Sequence, residues 1–129
     1  MRQRIADAGL LVAGIAMIAA GIAHAFGGWP PLGSALAALG AARDLAGPLA
    51  VGWAFGSVAM VAFGAIVLLG RRDCRHGGAM GAAACRVVGV AYMVFGVGAT
   101  VYRWPNPHFL GFIALGVLAL LPAARRPGH

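Results

Sequence analysis

Four stretches of this chain are too apolar and too long to be left in water. They run from about Ile5 to Ala23, Pro48 to Leu69, Ala79 to Tyr102 and Pro107 to Leu121, and only Asp7 and Arg86 interrupt them with charge. A helix of about 20 apolar residues crosses the roughly 30 Å hydrocarbon layer of a bilayer. Lipid offers backbone groups no partner outside such a helix, so helix is the form these stretches must take. The first three reach the required length. The fourth is short and needs a thinned bilayer, leaning neighbours or flanking residues. The expected fold is all-α: an integral membrane four-helix bundle in one domain, with helices near 5–25, 48–69, 79–103 and 107–122.

Composition supports this solvent. Hydrophobic residues make up 61% of the 129 residues and charged ones 10%, against about 25% charged in a soluble domain. The net charge of +7 comes from ten arginines and no lysine. They stand at the ends of the apolar stretches, not in a stripe with interleaved aromatics, which argues against nucleic acid as a partner. Membrane lipids are the expected surroundings, with a larger membrane complex or a homo-oligomer as further partners.

The arginines also orient the chain. Arg2 and Arg4 precede the first stretch; Arg71, Arg72 and Arg75 separate the second from the third; Arg125 and Arg126 follow the fourth. After an even number of crossings these share one side and leave Arg43 and Arg103 on the other. Positive residues favour the cytoplasmic side, so both termini are expected there. Trp29, Trp53 and Trp104 then fall near the outer boundary. A competing reading makes Ala23-His24-Ala25 a signal-peptide cleavage site; the length of the first stretch and the spans that follow favour a retained helix.

Local chemistry refines the boundaries. Pro48 and Pro107 suit first helical turns, and Asn106 can cap the second of these. Gly27-Gly28-Trp29-Pro30-Pro31 and Trp104-Pro105 read as helix ends, and Arg71 to Gly78 reads as a tight polar turn. In the outer loop, 26–47, Leu32, Leu36, Leu39 and Leu45 recur at near-helical spacing. They predict a short interfacial helix, or equally an Ala-rich helix that covers the bundle.

Small residues are expected to bring the helices together. Gly14 and Gly21 are seven apart, as are Gly89 and Gly96; Gly52 and Gly56 form a Gly-x-x-x-Gly step; the fourth stretch carries Gly111 and Gly116. Asp7 and Arg86 both lie toward the cytoplasmic end and are candidates for an intramembrane ion pair. Cys74 and Cys85 lack companion ligands and are expected as free thiols.

The outer end is where polar chemistry concentrates. His24 closes the first helix and His108 opens the fourth, with Arg43, Arg103 and Asn106 nearby, whereas His76 and His129 read as solvated. Helix amino termini at this end add positive dipoles, so an anion is favoured. Three readings compete: interfacial histidines with a structural role, a site for a lipid headgroup or small amphiphile, and axial ligation of haem by His24 and His108. No third ligand for zinc or copper is evident. No catalytic constellation stands out, and the chain contains no Glu. A non-enzymatic accessory or ligand-binding protein is expected, with a haem-binding electron-transfer protein and an oligomeric channel or transporter subunit as alternatives.

The segment Ala20-Gly21-Ile22-Ala23-His24-Ala25-Phe26, the Tyr102-Arg103-Trp104-Pro105 exit of the third helix and the four-helix hydropathy resemble small DoxX-like and other uncharacterised four-helix membrane proteins of bacteria. The resemblance implies an inner-membrane protein accessory to a redox or lipid-associated system, and no catalytic residue is carried over from it.

Overall fold

The computed structural model describes residues 2–40 and 43–121. Arg125, Arg126, His129 and the side chains of Arg2 and Arg43 lie outside the described residues. Helix α1 (Arg2–Ala23) passes through a π-helical turn (His24–Gly28) into α2 (Trp29–Ala38); α3 (Arg43–Arg75) and α4 (Ala79–Tyr102) follow, and a 3-10 turn (Pro107–Phe109) leads into α5 (Leu110–Leu120). Three helical stretches, Gln3–Ala38, Asp44–Arg75 and Ala79–Tyr102, are long and apolar enough to cross a membrane. Pro107–Leu120 is the short apolar member.

The helices form a four-membered ring. α1 packs on α3 and α5, and α4 packs on the same two from the other side, so α1 and α4 stand diagonally. Leu10, Ala13, Met17, Val67, Cys85, Val88, Tyr92 and Ala119 meet in the centre, flanked by Phe63, Phe112, Leu115 and Leu118. Large apolar side chains such as Val12, Ile15, Phe55, Val58, Val87, Val94 and Val101 are exposed instead. Small residues within and branched ones without suit lipid, which supplies the outer contacts.

Each neighbouring pair of helices is closed by glycine. A Cβ on Gly14 would lie 3.1 Å from the Gly64 carbonyl, and one on Gly21 would lie 2.8 Å from that of Ser57. Between α3 and α4, a Cβ on Gly70 would meet the Gly81 carbonyl at 2.8 Å; between α4 and α5, Gly89 and Gly116 approach each other's carbonyls at 3.0 and 2.9 Å. On Gly9, a Cβ would stand 2.9 Å from Leu121 of the chain end that follows α5. The expected Gly52–Gly56 step is not among these crossings. Gly52 faces open space, and the nearest atom to a Cβ on Gly56 is His24 Cε1 at 3.9 Å. Gly111 likewise meets nothing within 4 Å.

Three other expectations change. The first helix does not stop at Gly27–Pro31. Pro30 and Pro31 lack the N–H groups that would bond four residues back, and their rings crowd the preceding turn. The wider π turn gives that turn room while the helix continues. The outer loop does carry a helix, α2, but it continues α1 without a break and ends before Leu39 and Leu45. Pro48 lies inside α3, not at its start, because α3 begins at Arg43. The polar turn after α3 shrinks to His76–Gly78, with Gly77 at φ 84°. Asp73 stitches it, accepting the backbone N–H of Gly78 at its carbonyl (2.9 Å) and that of Gly81 at its carboxylate (2.6 Å).

Asp7 takes a different partner from the one expected. Arg71 of α3 donates to its carboxylate at 2.8 Å and to its carbonyl at 3.2 Å, and Arg75 approaches at 3.8 Å. Arg86 sits on α4, diagonal to α1. Cys74 and Cys85 are not joined in a disulfide, as expected, and Cys85 is buried.

Tyr92 packs its ring between Phe63 and Phe112, at centroid distances of 6.0 and 5.5 Å, and its buried hydroxyl has no hydrogen-bond partner among the described residues. An unsatisfied buried hydroxyl costs about 1–3 kcal/mol. Tyr92→Phe keeps the ring and is expected to leave thermal stability in detergent unchanged or raised. A clear drop would mean the hydroxyl makes a bond that stabilises the fold.

Candidate functional site

The polar centre of the bundle lies where the π turn meets α3. Ser57, 4% exposed, sits one turn after Trp53 on α3. Its hydroxyl donates to the Trp53 carbonyl at 3.0 Å, and His24 Nδ1 stands 2.9 Å from the same oxygen. A hydroxyl has one proton to give. With that proton at Trp53, the tautomer that satisfies both bonds has its hydrogen on His24 Nδ1 and its lone pair on Nε2.

The network closes on itself. The Trp53 indole N–H donates to the His24 carbonyl at 2.7 Å, and the two rings stack at 4.0 Å with planes 8° apart. Trp29 adds a tilted contact to Trp53 at 6.2 Å. Gly28 admits the indole against the backbone, since a Cβ there would collide with the Trp53 ring. Each protein partner is satisfied, which fixes the imidazole in place. Nε2 is the atom left for something else.

Beside this cluster, Leu45, Pro48, Leu49, Gly52 and Trp53 line a shallow, almost wholly apolar groove of about 420 Å³. Trp53 is shared, so apolar surface and imidazole adjoin through one side chain.

The other expected residues reach the same end by a separate turn. The Arg103 N–H caps α4 through Ala99, Asn106 N–H donates to the Arg103 carbonyl, and Asn106 Oδ1 accepts the His108 N–H at 3.0 Å. Asn106 thus caps the fourth helix as expected. Arg103, Asn106 and His108 are exposed. Arg43 begins α3 at this end, with its side chain outside the described residues. No group of three or more His, Cys, Asp or Glu able to hold a metal occurs among the described residues.

Trp53 is expected near the outer boundary, whereas Ser57 is not foreseen as a member of the site. The available signal was the spacing of seven: Asp7, Gly14 and Gly21 on α1 run against Arg71, Gly64 and Ser57 on α3. Compared with models of protein families, with curated proteins and with solved structures, the chain matches none.

Proposed function

We propose that this is a non-enzymatic small-ligand- or lipid-binding protein of a bacterial inner membrane, multi-pass with both termini cytoplasmic. Its ligand is a small amphiphile, held by the polar head at His24 Nε2 and by the apolar part along Leu45, Leu49 and Trp53. One observation carries this reading: an imidazole bonded to Ser57 and stacked on Trp53 stands beside an open apolar groove that Trp53 also lines. His108 and Arg103 at the same end supply positive charge for an anionic head. The arginine asymmetry supports the orientation, and the resemblance to DoxX-like proteins supports an accessory role.

A fatty acid bearing a diazirine on its chain tests the site directly. Crosslinks are expected to concentrate between Leu45 and Trp53. Leu49→Trp, which fills the groove and leaves His24 and Ser57 themselves unaltered, should weaken labelling about tenfold, equivalent to ~1.4 kcal/mol. Labelling spread evenly over the lipid-facing Val87, Val94 and Val101 would remove the proposal.

A second reading is favoured by the same tautomer. A ligating histidine commonly donates its other ring N–H to an oxygen, as His24 does to Ser57. Axial ligation of haem by His24, with His108 as the second ligand, would give a Soret band in protein released from its own membranes. A His24→Leu variant that kept the band would sink this alternative.

A further inference from the structure

The opposite end of the bundle carries its own concavity, which the amphiphile site does not involve. Leu68, Arg71, Arg72, Arg75 and His76 line a groove of about 680 Å³ with polar and apolar surface in similar measure. That volume falls within the range of small-ligand sites, roughly 300–1,000 Å³. On α3, Arg71, Arg72 and Arg75 stand at steps of three, four and seven from Leu68, so they share one face of the helix, and His76 follows directly after it. The leucine lies toward the middle of the span and the guanidiniums toward its end.

The charge is not balanced locally. Asp7 is the carboxylate facing Arg71 and Arg75, while Asp73 is turned to the α4 amino terminus. Three guanidiniums therefore meet one available carboxylate. Asp7 also fixes Arg71 by two bonds, at 2.8 and 3.2 Å. Of the five N–H donors on that guanidinium, three remain. A preset guanidinium fork matches the oxygens of a phosphate.

We propose that this groove binds the phosphodiester head of an anionic phospholipid, with an acyl chain descending past Leu68. Arg71 is the fixed element and Arg72, Arg75 and His76 close on the head. Apolar surface directly beneath a cationic cluster is the order of groups in a phospholipid, and free phosphate has nothing to place against Leu68.

The basic residues also complement the negative end of the α3 dipole, and the test separates that role from binding. Native mass spectrometry is run on protein exchanged into nanodiscs of phosphatidylglycerol mixed with phosphatidylcholine. The wild type is expected to retain phosphatidylglycerol preferentially. Arg72→Gln with Arg75→Gln, which leaves the Asp7–Arg71 pair intact, should reduce that preference roughly tenfold to thirtyfold. Arg4→Gln, an exposed arginine at the same end of the bundle that does not line the groove, serves as the control and should retain it. Equal preference in all three proteins would overturn the proposal, leaving those arginines only the dipole role. Displacement of the lipid by millimolar inorganic phosphate would overturn it too, since the chain would then contribute nothing.

Discussion

Placing a single methyl group on Gly64 is expected to unseat α1 from α3. A Cβ there would lie 2.6 Å from the Gly14 carbonyl oxygen, 2.7 Å from Ile18 Cγ1 and 3.0 Å from the Ile18 nitrogen. Two of those three atoms are backbone and cannot rotate aside, so the helices must separate along their length. Overpacking of this kind costs about 1–3 kcal/mol when side chains can yield, and backbone contact places Gly64→Ala at the upper end. The expected result in mild detergent is a fall in unfolding temperature of roughly 5–15 °C. Gly52→Ala is the matched control, on the same helix with nothing within 4 Å. It should be neutral, or gain up to about 1 kcal/mol from better helix propensity. Equal behaviour of the two variants would show that the crossing does not depend on Gly64.

Trp53→Ala is expected to have the second large effect, and a local one. It removes the stack on His24, the indole N–H bond to the His24 carbonyl and the surface that covers Gly28. Loss of a large aromatic side chain costs about 3–5 kcal/mol in a core; Trp53 is half-buried, which points to about 3. Since ~1.4 kcal/mol is a factor of ten, amide exchange across residues 24–28 should accelerate by on the order of a hundredfold. The α4–α5 half should change little. Trp53→Phe keeps an aromatic face and loses only the donor, so it should fall between, at about 1 kcal/mol. Uniform acceleration through all the helices would mean the ring stabilises the whole bundle rather than the π turn.

These two variants mark where the sequence could be read and where it could not. Helix existence and lipid as solvent followed from the length of the apolar runs. Helix ends followed less well, because proline and glycine were taken as stops. At Pro30 and Pro31 the chain widens its turn and continues, and at Pro48 it tolerates the missing N–H inside α3. At the first of these the Trp53 ring of α3 lies against Gly28, a tertiary contact that no local pattern names. The glycine spacing of Gly14, Gly21, Gly89 and Gly96 did identify packing positions. Gly52 and Gly56, by contrast, fit a contact motif but face elsewhere, since spacing gives a face and not its direction.

The site shows the same division. His24 and His108 were legible as polar residues at helix ends on one side. The partner of His24 was not, although Ser57 falls in the heptad step that joins Asp7 to Arg71. Reading α1 and α3 as antiparallel neighbours would have given both Ser57 and the Asp7–Arg71 pair. The assignment of Asp7 to Arg86 assumed that α1 and α4 touch, whereas the ring places them diagonally. Neighbour order in a four-helix bundle is a tertiary choice, made here by which glycines meet.

The most direct test of the ligand-binding claim is native mass spectrometry of the protein released from its own membranes without added lipid, with His24→Leu and Leu49→Trp compared alongside. A small amphiphile retained one per chain by the wild type, and lost from both variants, is the expected result. A wild-type chain without such an amphiphile, or a small amphiphile that survives both substitutions unchanged, would contradict it, whereas phospholipid held at the arginine groove is expected in all three proteins.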